Sequence, residues 1–214
     1  MEQYTQSVYI LLTKTSSILS RLIGWLTRAA YTHAALSMDD EFEEMYSFTR
    51  LNPRYILPAG LAREDLRRGL YRARKDPPCR VYRLRLTQEE YDRMREHVRE
   101  MYGERRRYHY NYLGVAANYF GKTYTSPHRF FCSEFVATMV ADANPNAVIC
   151  PSRTRPIDFT SMAGLECVYE GTVGGLRDHI DAHRARRMRL HGEAGERSRF
   201  WLTGDHKEDE LWDD

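Results

Sequence analysis

Cys132 has a nucleophilic side chain and lies at a position in the chain that would activate it. After Cys132, the residues Phe135, Val136, Met139 and Val140 recur at helical spacing, which predicts a helix that packs into the core and has Cys132 in its first turn. Unpaired backbone N–H groups and the positive end of the helix dipole lower the pKa of a thiol placed there and favour the thiolate. A lone cysteine is more often a small buried apolar residue, so nucleophilic chemistry here requires a base elsewhere in the chain.

A predicted hairpin supplies that base. It has a strand, a turn and a return strand at residues 32–38, 39–41 and 42–48. A turn of this length places His33 roughly opposite Tyr46 or Ser47. Glu44 shares strand parity with Tyr46 and is therefore predicted to share a face with His33, whereas Glu43 points the other way. A carboxylate beside a histidine fixes the imidazole tautomer and stabilises its cation, so that the histidine can deprotonate a thiol.

The order of these features resembles a known family. Along the chain come an apolar strand at residues 8–12, a helix that begins at residues 15–17 and continues from Ile18 to about Ala29, then His33, the hairpin with Glu44, and the Cys132 helix. This order resembles the circularly permuted papain-like cysteine hydrolases of the NlpC superfamily, in the YiiX-like branch, with distant similarity to lecithin:retinol acyltransferase. In that branch the strand that bears the histidine precedes the helix that bears the cysteine, and a glutamate on a strand completes the triad. The resemblance covers roughly residues 8–170 and implies Cys132 as nucleophile, His33 as base and Glu44 as the orienting group.

Several residues depart from this pattern or compete with it. Gln6 and Ser7 stand where the family often has Gly-Asp, and the spacing from Tyr110 to Cys132 is long. Residues 110–112 correspond to an aromatic segment that often lines the cleft in that branch. His109, at the edge of this segment, is the alternative base. His128 is less suited, because the start of the helix would carry Cys132 away from it, and Ser133 would need a stronger base than the adjacent thiol does.

The predicted chemistry is acyl transfer through a thioester. The Cys132 thiolate attacks a carbonyl, its backbone N–H supplies part of an oxyanion hole, and His33 takes and returns the proton. Water or another acceptor then resolves the thioester, so the enzyme is either a hydrolase (amidase or peptidase) or an acyltransferase. The resemblance implies an amide or ester substrate: a peptide, a peptidoglycan fragment or a lipid acyl group. A binding or scaffold protein with the same fold and no turnover is the first alternative.

A second alternative is an accessory protein that binds an anionic partner. It would use the arginines at residues 105–107 and at 184, 186, 187 and 189. A single positive face that joins both clusters would favour nucleic-acid binding. Solvated surface is the commoner role of such clusters, so nucleic acid is not the predicted partner.

The rest of the chain predicts an α+β fold, a small antiparallel sheet packed by helices that include the Cys132 helix. Residues 81–86 alternate as a strand, and a capping box at residues 87–90 begins a helix that ends at Gly103. Residues 51–60 are predicted as a loop and residues 62–66 as a short helix. The hydrolase domain is assigned to residues 1–176, and residues 177–214 to a charged extension that is helical and then flexible.

Composition and targeting signals indicate a globular cytoplasmic enzyme. Hydrophobic residues make up 42% and aromatic residues 12% of the 214, and 32 basic residues nearly balance 30 acidic ones, leaving a net charge of +2. We expect no secretory signal, no transmembrane segment and reduced cysteines. No metal-ligand spacing or phosphate-binding loop indicates a cofactor. If the protein were exported, Cys150 and Cys167 would be the disulfide pair to test.

Overall fold

The structure is a computed structural model. It describes residues 4–14, 30–52, 55, 57–72, 76–144 and 150–202. The chain divides into two compact units, Met1–Arg177 and Asp178–Asp214. The helix predicted from Ile18 to Ala29 and the flexible tail predicted at the C-terminus both involve residues outside the described ranges.

Eight strands in the described part of the chain form one sheet. They are β1 (Gln6–Thr13), β2 (His33–Ser37), β3 (Met45–Arg50), β4 (Ala59–Glu64), β5 (Pro78–Leu86), β6 (His109–Tyr110), β7 (Arg129–Phe130) and β8 (Leu165–Thr172). Their order is β7-β6-β4-β3-β2-β1-β5-β8. All neighbours pair antiparallel except β6 and β7, which are parallel. The predicted α+β class is confirmed, with a larger sheet than expected.

Four α-helices complete the described chain: α1 (Gln88–Gly103), α2 (Tyr112–Tyr119), α3 (Cys132–Ala143) and α4 (Val173–Leu202). The predicted capping box of α1 is confirmed. The Thr87 hydroxyl accepts from the backbone N–H of Glu90, and the Glu90 carboxylate accepts from the backbone N–H of Thr87. The helix buries Met94, Val98 and Met101.

Helix α3 lies against the centre of the sheet. Its apolar residues are buried in one cluster with alternate residues of the central strands, among them Ala34 and Leu36 of β2 and Phe48 of β3. The prediction that the Cys132 helix packs into the core is therefore confirmed. Because α3 is anchored along its length, its first turn has a fixed position beside β2.

The hairpin differs from its predicted form. Its strands are shorter, Ser37 pairs with Met45, and residues 38–44 form a longer connection. The Asp39 carboxylate organises this connection by accepting from the backbone N–H groups of Glu41, Glu43 and Glu44. The turn thus extends three residues beyond its predicted end, because one aspartate carboxylate accepts hydrogen bonds from several backbone N–H groups.

The segment after the hairpin forms a strand where the sequence predicts a loop and a short helix. Residues 59–64 form β4, which pairs with β3 from Ala59 opposite Arg50 to Glu64 opposite Met45. Pairing with an existing strand overrides the weak helical preference of this short segment. The change is important for the site, because it puts Glu64 on the sheet.

Candidate active site

Cys132 is the first residue of α3, as predicted. Its side chain is buried, and its thiol is hydrogen-bonded to the side chain of His33 and to the backbone N–H groups of Ala34 and Ser133. Phe131 precedes the helix, and its own N–H is bound by the Glu134 carboxylate at 3.2 Å. The thiol is thus held at the N-terminus of a helix and supplied with three hydrogen-bonding partners.

His33 is the first residue of β2 and lies between a thiol and a carboxylate. Its Nε2 atom is 3.1 Å from both Oε1 and Oε2 of Glu64. Because Nε2 faces the carboxylate, Nδ1 is the nitrogen left for Cys132. A carboxylate on one ring nitrogen fixes the tautomer that presents the other nitrogen to the thiol.

Strand parity puts Glu64 and His33 on the same face of the sheet. Glu64 is opposite Met45, Met45 is opposite Ser37, and Ser37 is an even number of residues from His33. The Glu64 side chain is 4% exposed. A second group holds it, since the Tyr71 hydroxyl donates to Oε2 at 2.5 Å. Tyr71 lies on the short 3-10 helix Gly69–Arg72 that follows β4.

The electrostatics of the three groups favour an ion pair. Burial alone would lower the pKa of His33, but the charge of Glu64 and the hydrogen bonds with Cys132 and Glu64 raise it to about 10. Burial would raise the pKa of the Cys132 thiol, but the hydrogen bond and charge of His33, aided by two backbone N–H groups, lower it below its ordinary value. Both shifts favour a thiolate beside an imidazolium.

Glu44, the predicted orienting group, pairs with two arginines of α1. Its carboxylate accepts from Arg95 at 2.9 Å and from Arg99 at 3.1 Å, both on α1, and from the Tyr46 hydroxyl at 3.3 Å. These arginines lower the pKa of Glu44 despite its partial burial. The parity argument fails because Tyr46 pairs with Leu36, which has the opposite parity to His33. Glu44 also precedes β3 instead of lying within it. The residue beside His33 is Glu64.

Tyr110 adds a further group at the thiol. It lies on β6, and its side chain is hydrogen-bonded to Cys132. Burial and the nearby thiol raise the pKa of Tyr110 well above its usual value, so the phenol remains a proton donor. Tyr110 is thus the residue of the 110–112 segment that lies near the thiol.

Asn111 ties this aromatic segment to the helix that bears the nucleophile. Its Oδ1 caps α2 by accepting from the N–H of Gly114 at 2.8 Å, and its Nδ2 donates to the Tyr124 carbonyl at 2.9 Å. A longer contact of 3.4 Å joins Nδ2 to Glu134 on α3. The Asn111 side chain therefore links the first turn of α2 to the first turn of α3.

The competing residues lie elsewhere. His109 is exposed on β6, and the His128 ring packs edge-on against Tyr108. Neither is among the groups that shift the pKa of Cys132. Ser133 is buried and contributes its backbone N–H to the thiol. The histidine beside Cys132 is thus His33.

Two of the site residues, Glu64 and Tyr71, were not predicted from sequence. Glu64 ends a segment in which residues 59–64 could alternate as a strand, so its parity with the hairpin was the available signal. Tyr71 had no comparable signal, because its position depends on the turn after β4.

The described residues include no group of three or more His, Cys, Asp or Glu side chains that could hold a metal ion. Within the same residues, no helix is long and apolar enough to cross a membrane. The four cysteines are free thiols. Comparisons with protein-family models, curated proteins and solved structures found no match.

Proposed function

We propose that the protein is a cysteine-nucleophile enzyme that transfers acyl groups through a thioester, as an amidase or peptidase or as an acyltransferase. The single observation that carries the proposal is the buried series of contacts from the Cys132 thiol to His33 and from His33 to Glu64. A nucleophile, a base and a group that orients the base are the parts that such chemistry needs.

The first half-reaction forms the thioester. The Cys132 sulfur attacks the carbonyl carbon, a C–S bond forms, and the carbonyl oxygen takes the electron pair. The backbone N–H of Cys132 and the Tyr110 hydroxyl are the donors proposed to stabilise that oxyanion. His33 then gives its proton to the departing amine or alcohol as the bond to the leaving group breaks.

The second half-reaction releases the acyl group. His33, now neutral, takes a proton from water or another acceptor, which attacks the thioester and expels the thiolate. Glu64 stabilises the imidazolium whenever His33 carries two protons. Hydrolysis and transfer share every residue and differ only in the acceptor.

A binding protein without turnover would be favoured if Cys132 and His33 were far apart, but His33 is close enough to lower the pKa of the Cys132 thiol. The alternative based on an anionic partner depended on one face shared by both arginine clusters. Residues 105–107 and residues 184–189 belong to different compact units, so no observation supports such a shared face. Acyl transfer is therefore the function that the site favours.

Capture of an acyl-enzyme tests the proposal. The full chain is mixed with 4-nitrophenyl acetate, quenched in acid and digested, and each cysteine peptide is weighed by mass spectrometry. We expect acetyl on Cys132 and a burst of nitrophenol, both reduced roughly 10²–10⁴-fold in His33→Ala. Cys167→Ala, which removes an exposed thiol, is the control and should retain the burst. Acetylation of Cys132 at the same rate in His33→Ala would contradict the proposal.

A further inference from the structure

A cavity of about 500 Å³ lies at residues 57–59, 109, 110, 112 and 129. Tyr110 is one of its lining residues and is also hydrogen-bonded to the Cys132 thiol. The cavity and the proposed active site therefore share a wall. A substrate whose carbonyl reaches Cys132 would place the adjoining part of its acyl group here.

The walls of the cavity are largely apolar. They include Leu57 and Pro58, which are exposed to solvent, and Tyr110 and Tyr112. Leu57 is 65% exposed, so its apolar surface is available to a ligand. Aliphatic and aromatic walls of this kind bind the hydrocarbon part of a small ligand.

Basic but no acidic side chains line the cavity. The basic residues are Arg129 and His109. Arg50 is close enough to Tyr112 to act on its pKa, which adds positive charge nearby. Within the described residues, Arg129 has no carboxylate partner at ion-pair distance. One guanidinium among the lining residues matches one negative charge, and its planar fork suits a carboxylate.

We propose that this cavity binds the acyl part of the substrate, and that the acyl part is a short hydrocarbon chain or ring that carries a carboxylate bound by Arg129. The inference rests on the proposed function, because it assigns a substrate class to the same site. The carboxylate is the feature that separates this substrate from neutral acyl donors of the same length.

The test compares two esters that differ only at the end of the acyl chain. In 4-nitrophenyl hydrogen glutarate the five-carbon chain ends in a carboxylate, and in 4-nitrophenyl valerate it ends in a methyl group. The ratio of their kcat/KM values is measured, with Cys132→Ala supplying the background hydrolysis of each ester. We expect the wild type to favour the glutarate roughly tenfold and Arg129→Gln to lose most of that preference. Arg106→Gln removes an exposed arginine that does not line the cavity, so it should keep the wild-type ratio.

A binding measurement keeps the two proposals separable. Monomethyl glutarate and dimethyl glutarate are compared as protectants of Cys132 against iodoacetamide, which requires no turnover. Protection by the monoanion alone, lost in Arg129→Gln, supports the inference. Turnover of both esters with the same ratio in Arg129→Gln would overturn it and leave the proposed function standing. If neither ester acylates Cys132, the proposed function fails, and the protection result alone decides whether the cavity binds carboxylates.

Discussion

The hydroxyl of Tyr71 is a positioning group rather than a catalytic one. It contacts Glu64, which contacts His33, and it does not need to touch substrate. Burial and the adjacent carboxylate raise the pKa of Tyr71 well above its ordinary value, so it remains a donor at every working pH. Its removal leaves one carboxylate oxygen of a buried group without this donor.

Tyr71→Phe should therefore lower kcat several-fold with little change in KM and shift the pH profile of Cys132 alkylation to higher pH. The loss of a hydrogen bond to a charged group should also lower the free energy of unfolding by about 1.5–3 kcal/mol. Tyr46→Phe is the matched control, because Tyr46 donates to Glu44 in the same way. Equal pH profiles for Tyr71→Phe and the wild type would show that the hydroxyl does not position the site.

The two glutamates make a second comparison at the residue scale. Glu64→Gln removes the charge that holds the pKa of His33 at about 10, so burial should then lower that pKa and reduce the thiolate fraction at Cys132. Glu44→Gln breaks the pairing with Arg95 and Arg99 on α1 and should leave alkylation of Cys132 unchanged. The reverse pattern would restore Glu44 to the triad.

Glu64→Gln should also change how the free energy of unfolding depends on pH. A histidine with a raised folded-state pKa stabilises the fold fully below its unfolded pKa of about 6.5, and the contribution is lost as pH rises through about 10. The difference in unfolding free energy between wild type and Glu64→Gln should thus be about 3 kcal/mol at pH 6 and clearly smaller at pH 10. Urea unfolding at both pH values measures it, and a difference that grows with pH would contradict the assignment.

At the scale of elements, the backbone before β6 packs closely against β4 at Gly60. A Cβ atom at Gly60 would lie 2.6 Å from the Tyr108 carbonyl oxygen, and Gly60 pairs with His109. Gly60→Ala should therefore displace β6, which carries Tyr110, at a cost of about 1–3 kcal/mol and with slower acylation of Cys132. Gly103→Ala, at the end of α1, has nothing within 4 Å of the added atom and should be neutral or stabilising. Wild-type acylation and stability in Gly60→Ala would show that this contact does not hold the segment.

The elements also show what the sequence could predict. The α1 capping box and the first turn of α3 were predictable because each depends on residues a few positions apart. The partner of His33 was not, since it depends on how far the Asp39 connection extends and on whether residues 59–64 pair with β3. Glu44 and Glu64 carry the same functional group, and the long-range register of the strands determines which of them contacts His33.

At the scale of the whole molecule, the four thiols should react in an order that exposure alone does not predict. Cys167 is exposed, Cys150 is partly buried, and Cys132 and Cys79 are buried. Burial raises the pKa of Cys79 to about 12, whereas the pKa of Cys132 is lowered. Alkylation at pH 7 with a small reagent, followed by peptide mass spectrometry, should give Cys132 first and Cys79 last. Cys167 ahead of Cys132 would contradict an activated thiolate.

The central claim is that Cys132 and His33 form a thiolate–imidazolium pair able to act on a carbonyl. The most direct measurement is the rate of Cys132 alkylation by iodoacetamide as a function of pH, in the wild type and in His33→Ala. We predict fast alkylation well below pH 8 in the wild type, with that advantage lost in His33→Ala. Alkylation no faster than that of a free thiol, and unchanged in His33→Ala, would contradict the claim.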